Sequence, residues 1–408
     1  MYKAIDACQW KKGQLAKLLA PYLPRPKQRP FWLLGVDVTP QPRPYSSTLP
    51  DRGMVYQPNP VRGNKPVAVG HQYSSVALLP EAEEGVSSSW VVPLCTKRVS
   101  TDQDKELAGA KQMDALLQDD SLPFHQELCV EVGDTGYSKP AYLHANRRHT
   151  NLVTLARARS NRTFYRQFVS TEKQTGHPKW YGDPFSLQKA ATWHEADEKA
   201  TTTHVSRRGK TYRVEIQAWH DMLMRGKRKP ALLPMHQHPF TLVRIVKYDA
   251  QDKPAFRRPL WLIVIGEQRH QLSLLDIYQA YTQRFDLEHF FRLGKQKLLL
   301  DSFQTPDDKR EETWWQLAHI AYAQLWMARH VARSLPRPWE RNLPEMKTRH
   351  MSPTLVQRDF ERVIRQIGTP AQPPKPRGNS PGRSKGTRLP PRPRQKVVIK
   401  GQKQASSP

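Results

Sequence analysis

The order of apolar segments between residues 31 and 158 constrains the fold of this chain more than any other feature. Each segment has the length of a β-strand, and a segment with helical spacing lies among them at 101–118. The strand candidates are FWLLGVDV (31–38), QYSSVALLP (72–80), WVVPLCT (90–96), ELCVEVGD (127–134) and NLVTLARA (151–158). Strands and helices that alternate in this way are typical of a mixed α/β sheet.

Three local features complete this prediction. Residues 39–70 are rich in proline, glycine and arginine, which favours a long irregular connection. Thr101 is the candidate N-cap of the helix at 101–118, and a second helix is expected near Ser138. Further along, long helices are predicted over 273–300 and 311–334.

The charge of the chain limits its partners. Lysine and arginine number 65 against 37 aspartates and glutamates, so the formal net charge is +28. Such a surplus repels itself unless an anionic partner is present, and nucleic acid is the obvious polyanion. An anionic membrane surface is a weaker candidate, because no basic amphipathic helix stands alone at either end of the chain. No apolar run approaches the roughly 18 residues that span a bilayer. We expect a cytoplasmic, nucleoid-associated protein that binds DNA and no membrane.

Cysteine and histidine give little support for other chemistry. Cys8, Cys95 and Cys129 lie far apart without CxxC spacing, so neither a zinc site nor a disulfide framework is indicated. The histidines lack HxxxH spacing, which also argues against zinc.

The helix predicted over 273–300 presents an unusual face. Tyr281, Glu288 and Lys295 follow one another at intervals of seven residues, and Arg284 and Arg292 lie four residues before and after Glu288. All five side chains therefore line one face, on which a single carboxylate is flanked by cations and a phenol. The alternative interpretation is a ladder of salt bridges on the protein surface.

Two aspartates close strand candidates. Asp37 lies near the end of the run at 31–38, and Asp134 ends the run at 127–134. Aspartate is disfavoured within strands, and carboxylates at strand ends are well placed to meet in a cleft at the edge of a sheet. Taken singly, each aspartate could instead begin a turn or cap a helix. The nearest competing acids, Glu131 and Asp286, are expected to point away from these faces.

The segment Tyr281–Lys295 matches the pattern Y-x2-R-x3-E-x6-K at its four fixed positions, and it resembles bacterial insertion-sequence DDE transposases with this signature. GVDVTPQPRPYS around Asp37 and GDTGYSKPAYL around Asp134 resemble the first two catalytic segments of that family. NLVTLARARSNRTFY resembles the basic strand that follows them. The resemblance extends from about residue 31 to residue 335.

The resemblance implies an RNase H-like mixed sheet flanked by helices, with a β-rich insertion between the second aspartate and the glutamate helix. Asp37, Asp134 and Glu288 would hold two Mg²⁺ ions, with Mn²⁺ as a substitute, for cleavage and strand transfer of an insertion sequence.

The resemblance also assigns partners. Tyr281, Arg284 and Lys295 would contact the DNA end, and Arg292 is grouped with them because it shares their helix face. The partners would be transposon ends and target DNA, bound by a DNA-dependent homodimer. Trp180 or Trp193 would handle a flipped base, although packing is the more ordinary role of a tryptophan.

The predicted organisation has six parts. They are a short basic N-terminal segment, a first part of the core, a β-rich insertion, a second part of the core with the glutamate helix, a C-terminal helical segment and a basic, proline-rich disordered tail, at 1–30, 31–159, 160–245, 246–335, 336–368 and 369–408. The tail contains no acidic residue and is either an electrostatic DNA tether or a solvated extension.

The segment before Asp37 is shorter than the helical DNA-end-binding region that the family usually carries, so we expect a truncated region at 1–30. Two alternatives to a transposase remain open. One is an RNase H-like nuclease that cuts without transposition. The other is a non-catalytic, basic DNA-binding remnant of a transposase.

Overall fold

A computed structural model describes most of the chain. It covers residues 5, 14–57, 66–83, 86, 89–168, 179–206, 209–226, 233–335, 350–368, 386 and 390–399. Within these ranges, we find no helix with the length and apolar character that are needed to cross a bilayer.

The described residues form twelve strands and seven α-helices. The strands are β1 (Trp32–Pro42), β2 (Gly53–Tyr56), β3 (Val67–Leu78), β4 (Val92–Val99), β5 (Cys129–Gly133), β6 (Leu152–Arg157), β7 (Thr163–Gln167), β8 (Tyr181–Ser186), β9 (Glu198–Val205), β10 (Thr211–Met222), β11 (Phe240–Tyr248) and β12 (Leu260–Ile265). The helices are α1 (Gln14–Leu19), α2 (Lys105–Leu117), α3 (Pro140–Asn146), α4 (Leu274–Gln283), α5 (Phe285–Lys297), α6 (Asp308–Met327) and α7 (Pro353–Ile367).

Ten strands form one sheet in the order β2-β3-β1-β5-β6-β12-β11-β10-β9, with β4 beside β3. Strands β1, β5 and β6 run parallel, and the other pairs are antiparallel. Every residue of β5 is buried, as expected for a central strand that is covered on both faces. The predicted mixed α/β sheet flanked by helices is confirmed, and the strand order is consistent with an RNase H-like core.

The β-rich segment predicted at 160–245 is present, but most of it continues the central sheet. Strands β9, β10 and β11 join the core through β12, and only β7 and β8 form a separate two-stranded sheet. The residues of β10 alternate between more and less buried positions, so one side of this strand can pack against the core.

The predicted irregular connection at 39–70 is wrong at both ends. Strand β1 continues past Asp37 to Pro42, and the segment also contains β2 and the start of β3. The pairing of β5 with β1 ends at Gly35, so Pro40 and Pro42 lie where β1 has a free edge. Because that edge needs no ladder hydrogen bond, two prolines without N–H groups are tolerated there.

Two helix predictions also need correction. The N-cap of α2 is Asp104 and not Thr101, since the Asp104 carboxylate accepts the backbone N–H groups of Glu106 and Leu107. The single helix predicted over 273–300 is interrupted at Arg284, which separates α4 from α5. Arg284, one of the residues that the sequence predicts at a site, therefore lies at the junction of two helices.

A buried polar network connects the end of β1 to β3 and α6. The Glu311 carboxylate accepts Arg43 Nε at 3.0 Å and Tyr73 Oη at 2.8 Å, and it lies 2.8 Å from His71 Nδ1. Burial raises the pKa of Glu311, but the hydrogen bonds and charges of its partners outweigh this effect and lower it. The network therefore holds a carboxylate within the core.

Two tryptophans of α6 pack in the interior. Trp315 and Trp326 are buried, and the indole of Trp315 stacks on the Tyr73 ring with centroids 3.9 Å apart. Trp314 is half-buried and donates to the Leu299 carbonyl.

The terminal predictions fall partly outside the described residues. Within the segment 1–30, helix α1 buries Leu15, Ala16 and Leu19. Within the tail 369–408, residues 390–399 are described, and they lie against β2 and the loop that precedes it.

Candidate active site

The two strand aspartates lie side by side. Strands β1 and β5 pair in parallel from Trp32 opposite Cys129 to Gly35 opposite Val132. The same register, continued by two residues, sets Asp37 beside Asp134. Neighbouring strands lie roughly 4.8 Å apart. The sheet therefore brings together two carboxylates that are distant in sequence.

Backbone N–H groups orient both carboxylates. Asp37 Oδ1 accepts the N–H of Val38 at 2.8 Å, and Asp134 Oδ1 accepts the N–H of Gly136 at 2.7 Å. Asp134 thereby caps a short 3-10 helix at Thr135–Ser138. Asp134 therefore caps a helix, which was one of the alternatives from the sequence, and it also lies beside Asp37.

The electrostatic environment of Asp37 reflects this proximity. Burial and the negative charge of Asp134 raise the pKa of Asp37 to about 7. The Val38 N–H and the charge of Arg284 oppose this increase, and Glu288 adds to it. Glu288 and Arg284 are therefore close enough to influence the charge of Asp37, although they lie on a different element.

The raised pKa of Asp37 leads to a prediction on stability. Its folded-state value of about 7 exceeds the ordinary 3.8, so between these pH values the folded chain retains a proton that the unfolded chain loses. This contribution to stability is lost as the pH rises from about 4 to about 7. We expect the melting temperature of Asp37→Asn, relative to wild type in a chelating buffer, to rise across that range. Parallel curves of melting temperature against pH for the two proteins would contradict this prediction.

Arg284 lies at the break between α4 and α5 and holds Glu288. The Arg284 side chain is buried, and its Nη2 donates to Glu288 Oε1 at 2.8 Å. Its guanidinium also lies over the rings of Phe285 and Tyr281, at 4.7 and 5.7 Å from their centroids. The Glu288 side chain is 44% exposed, so it can be reached from solvent.

Of the other residues on the predicted helix face, Tyr281 and Lys295 lie near the aspartates, whereas Arg292 does not. Tyr281 is buried, which raises its pKa; Arg284 and Arg157 oppose this increase, and Asp134 adds to it. Lys295 Nζ donates to the Pro40 carbonyl of β1 at 2.8 Å.

Burial lowers the pKa of Lys295, and the charges of Asp301 and Asp37 oppose that decrease. Tyr281, Arg284, Glu288 and Lys295 thus surround the aspartate pair, whereas Arg292 is exposed on the surface of α5.

Arg157, which the sequence did not single out, also lies beside the aspartate pair. Strands β5 and β6 pair in parallel up to Gly133 opposite Ala156, and the next step of this register places Asp134 beside Arg157. Arg157 is exposed, and its charge acts on the buried Tyr281 phenol. The sequence contained one indication of this position, which is a basic residue at the end of the strand that follows the second aspartate.

Glu131 lies apart from the site, as predicted. It is buried and accepts hydrogen bonds from Tyr142, Asn146 and Thr154. Burial raises its pKa to about 7, although these hydrogen bonds act in the opposite direction. The other competing acid, Asp286, is buried on α5.

The tryptophans proposed for base handling have packing partners. The Trp193 indole donates to the Ser186 carbonyl at 2.7 Å and packs against Trp261. Trp180 stacks on the His236 ring with centroids 3.8 Å apart.

The carboxylates fit a divalent cation in part. Two adjacent carboxylates offer the hard oxygen ligands that Mg²⁺ prefers, and a cation would relieve the repulsion that raises the pKa of Asp37. Among the described residues, no group of three or more Asp, Glu, His or Cys side chains is arranged closely enough to hold a metal ion. Glu288 instead pairs with Arg284.

The protein has an RNase H-like sheet in which two aspartates lie side by side. A helix that carries a glutamate and cations faces them. These features define the class of nucleic-acid-cutting enzymes that use carboxylates. The chain belongs to the DDE superfamily endonucleases, because the model of that family matches residues 1–226, which is more than half of its length. The matched region contains Asp37 and Asp134, whereas Glu288 lies beyond it. No curated protein matches the chain. Membership of this family implies nuclease or transposase activity on DNA.

Proposed function

We propose that the protein is a transposase of the group with the Y-x2-R-x3-E-x6-K signature, which cuts the ends of an insertion sequence and joins them to target DNA. The observation that carries this proposal is the position of Asp37 beside Asp134, with Glu288 and its basic neighbours across from them. An endonuclease family match over the region of both aspartates supports it.

The proposed catalytic residues are Asp37, Asp134 and Glu288. The aspartates would hold divalent metal with oxygen ligands, and Glu288 would complete the ligand set after turning away from Arg284. When bound, a pair of Mg²⁺ ions supplies activation of the attacking hydroxyl and stabilisation of the leaving oxygen in an in-line displacement. Mn²⁺ has similar ligand preferences and is the expected substitute.

The basic residues and the phenol of the site would position the DNA. Once Glu288 has turned towards the metal, the Arg284 guanidinium would be free to grip a phosphate with two hydrogen bonds. Lys295 lies between β1 and α5 and would act as a point charge near the scissile phosphate. Tyr281 and Arg292, which is exposed, would also contact the DNA end.

Further parts of the proposal concern the assembled protein. A transposase must bring two DNA ends together, so we propose a homodimer that forms on DNA. The net charge of +28 would keep the protein associated with DNA in the cytoplasmic nucleoid.

The test is a cutting and joining assay on DNA that carries the ends of the element. With Mg²⁺ or Mn²⁺, we expect nicks at the ends and covalent joining of those ends to a second, labelled DNA. With a chelator, we expect binding without either reaction. Equal cutting with and without the chelator would contradict the role of metal.

The same assay separates the alternatives. A nuclease without transposition would produce metal-dependent cuts and no joined product. A non-catalytic remnant would bind DNA and leave it intact at every metal concentration. The pair of adjacent aspartates favours a catalytic protein over a remnant, because a bound cation would relieve the repulsion between their carboxylates.

A further inference from the structure

The part of the basic C-terminal tail that the structure describes at 390–399 is attached to the core. The backbone N–H of Gln395 donates to the Ser47 carbonyl, and that of Val398 donates to the Arg52 carbonyl, both at 2.8 Å. Val398 also forms a parallel bridge with Gly53 at the start of β2. We call residues 390–399 the strap.

Arg52 contributes to the attachment from the core. Its guanidinium is buried and donates to carbonyl groups of the loop between β1 and β2, including those of Leu49 and Arg43. One further acceptor is the Gln395 carbonyl of the strap, at 3.3 Å from Nη2. The loop that follows the strand of Asp37 is thus linked to the strap by side-chain as well as backbone hydrogen bonds.

The strap exposes its charge. Arg392, Arg394 and Lys396 are all exposed, and the segment 369–408 contains no acidic residue. Holding three cations against a chain of net charge +28 is electrostatically unfavourable without an anionic partner. The strap therefore has the properties of a positioned phosphate-binding segment.

The strap lies near the C-terminal end of β1, which is the end of the strand that follows Asp37. Pro42 lies five positions after Asp37, which is roughly 17 Å along the strand. Pro42 pairs with Gly70, Gly70 with Gly53, and Gly53 with Val398, which adds roughly 14 Å across the strands. The strap thus lies roughly 22 Å from Asp37 and roughly 25 Å from Asp134. Both distances are less than the roughly 34 Å of one turn of DNA.

We propose that the strap is an additional DNA-binding site, in which Arg392, Arg394 and Lys396 contact backbone phosphates of the duplex whose end lies at the carboxylates. This inference rests on the proposed function, because it takes DNA to be the substrate. It differs from a freely moving tether, since the attachment at Gln395 and Val398 determines where along the duplex the cations act.

The test measures how the affinity for a labelled duplex of random sequence depends on salt, in a chelating buffer where no cutting occurs. Each phosphate contact contributes about 0.9 to the slope of log K against log salt concentration. We expect the triple variant R392Q/R394Q/K396Q to lose about 2–3 units of slope. Val398→Pro removes the N–H that binds Arg52 and should lose a similar amount, whereas Val398→Ala retains it and should behave as wild type.

A charge-matched control uses three cations of the same tail outside the strap, in the variant K375Q/R377Q/R383Q. We expect this control to lose less than about 1 unit of slope. The proposal is overturned if the control loses as much as the strap variant, or if Val398→Pro keeps the slope of wild type. The binding measurement uses no metal, so its outcome does not depend on whether the protein cuts and joins DNA. A negative result in the cutting and joining assay would therefore count against the proposed function and not against the strap.

Discussion

Replacement of Asp134 by asparagine is expected to reduce metal-dependent DNA cutting by about 10³-fold or more. Asparagine keeps the size of the side chain and an oxygen that can accept the Gly136 N–H, so the local backbone should be preserved. It removes the negative charge that would hold the metal beside Asp37. Loss of several kcal/mol of metal-dependent stabilisation of the transition state corresponds to a factor of this size.

The measurement is single-turnover cutting of DNA that carries the element ends, with binding to the same DNA measured in a chelator. Glu288→Gln should show a similar loss of cutting, because Glu288 is the proposed third ligand. Glu361→Gln is the matched control, since Glu361 is an exposed carboxylate on α7. If Asp134→Asn cuts within tenfold of wild type while Glu361→Gln is normal, the proposed site is incorrect.

Metal binding provides a second readout for the same variants. A ligand that binds only the folded state raises its stability by an amount that grows with ligand concentration. Wild type should therefore show a higher melting temperature on addition of Mg²⁺, and Asp134→Asn should lose most of this increase. A variant that lost cutting and retained the full increase would indicate a defect in DNA positioning and not in metal binding.

The second large effect is expected at Glu311. Glu311→Ala should lower the free energy of unfolding by about 3–5 kcal/mol, because the partner Arg43 would remain buried without its carboxylate. Arg43 also donates to the carbonyls of Asp301 and Phe303, so it connects the end of β1 to the segment between α5 and α6. Breaking the pair should therefore loosen the end of β1 and the segment that follows α5.

Urea denaturation with linear extrapolation measures this change. The control is Glu361→Ala, which removes an ion pair with Arg365 whose side chains are 77% and 78% exposed. An exposed pair of this kind contributes at most about 1 kcal/mol, so the control should unfold almost as wild type does. A loss below 1 kcal/mol for Glu311→Ala would show that the network does not hold the core as we infer.

The sequence determined the type of sheet and most of its strands. Apolar runs of strand length and a helix with regular spacing are local patterns, and β4, β5 and β6 appear where those patterns predicted them. The seven-residue spacing of Tyr281, Glu288 and Lys295 was equally readable, because side chains on one helix face follow from helix geometry.

Other features depended on pairing between distant segments. The proline-rich stretch after Asp37 has no strand signal, yet β1 continues through Pro40 and Pro42 because β3 pairs with it from Leu34 to Pro42. Arg284 breaks the predicted helix at the point where its guanidinium reaches both Glu288 and the Tyr281 ring. Neither of these contacts can be predicted from the local propensity of the residues.

The sequence by itself therefore determined which side chains could carry the chemistry: two aspartates associated with apolar strands, a glutamate among cations on a helix, and a large positive charge. Only the tertiary structure decided which of them meet. The parallel register of β1, β5 and β6 places Asp37, Asp134 and Arg157 in adjacent positions. The packing of α5 leaves Arg292 outside that group and brings Lys295 to β1. The physical reason is that register and helix packing arise from contacts between residues far apart in the chain, whereas strand and helix patterns depend on residues that are close together in the sequence.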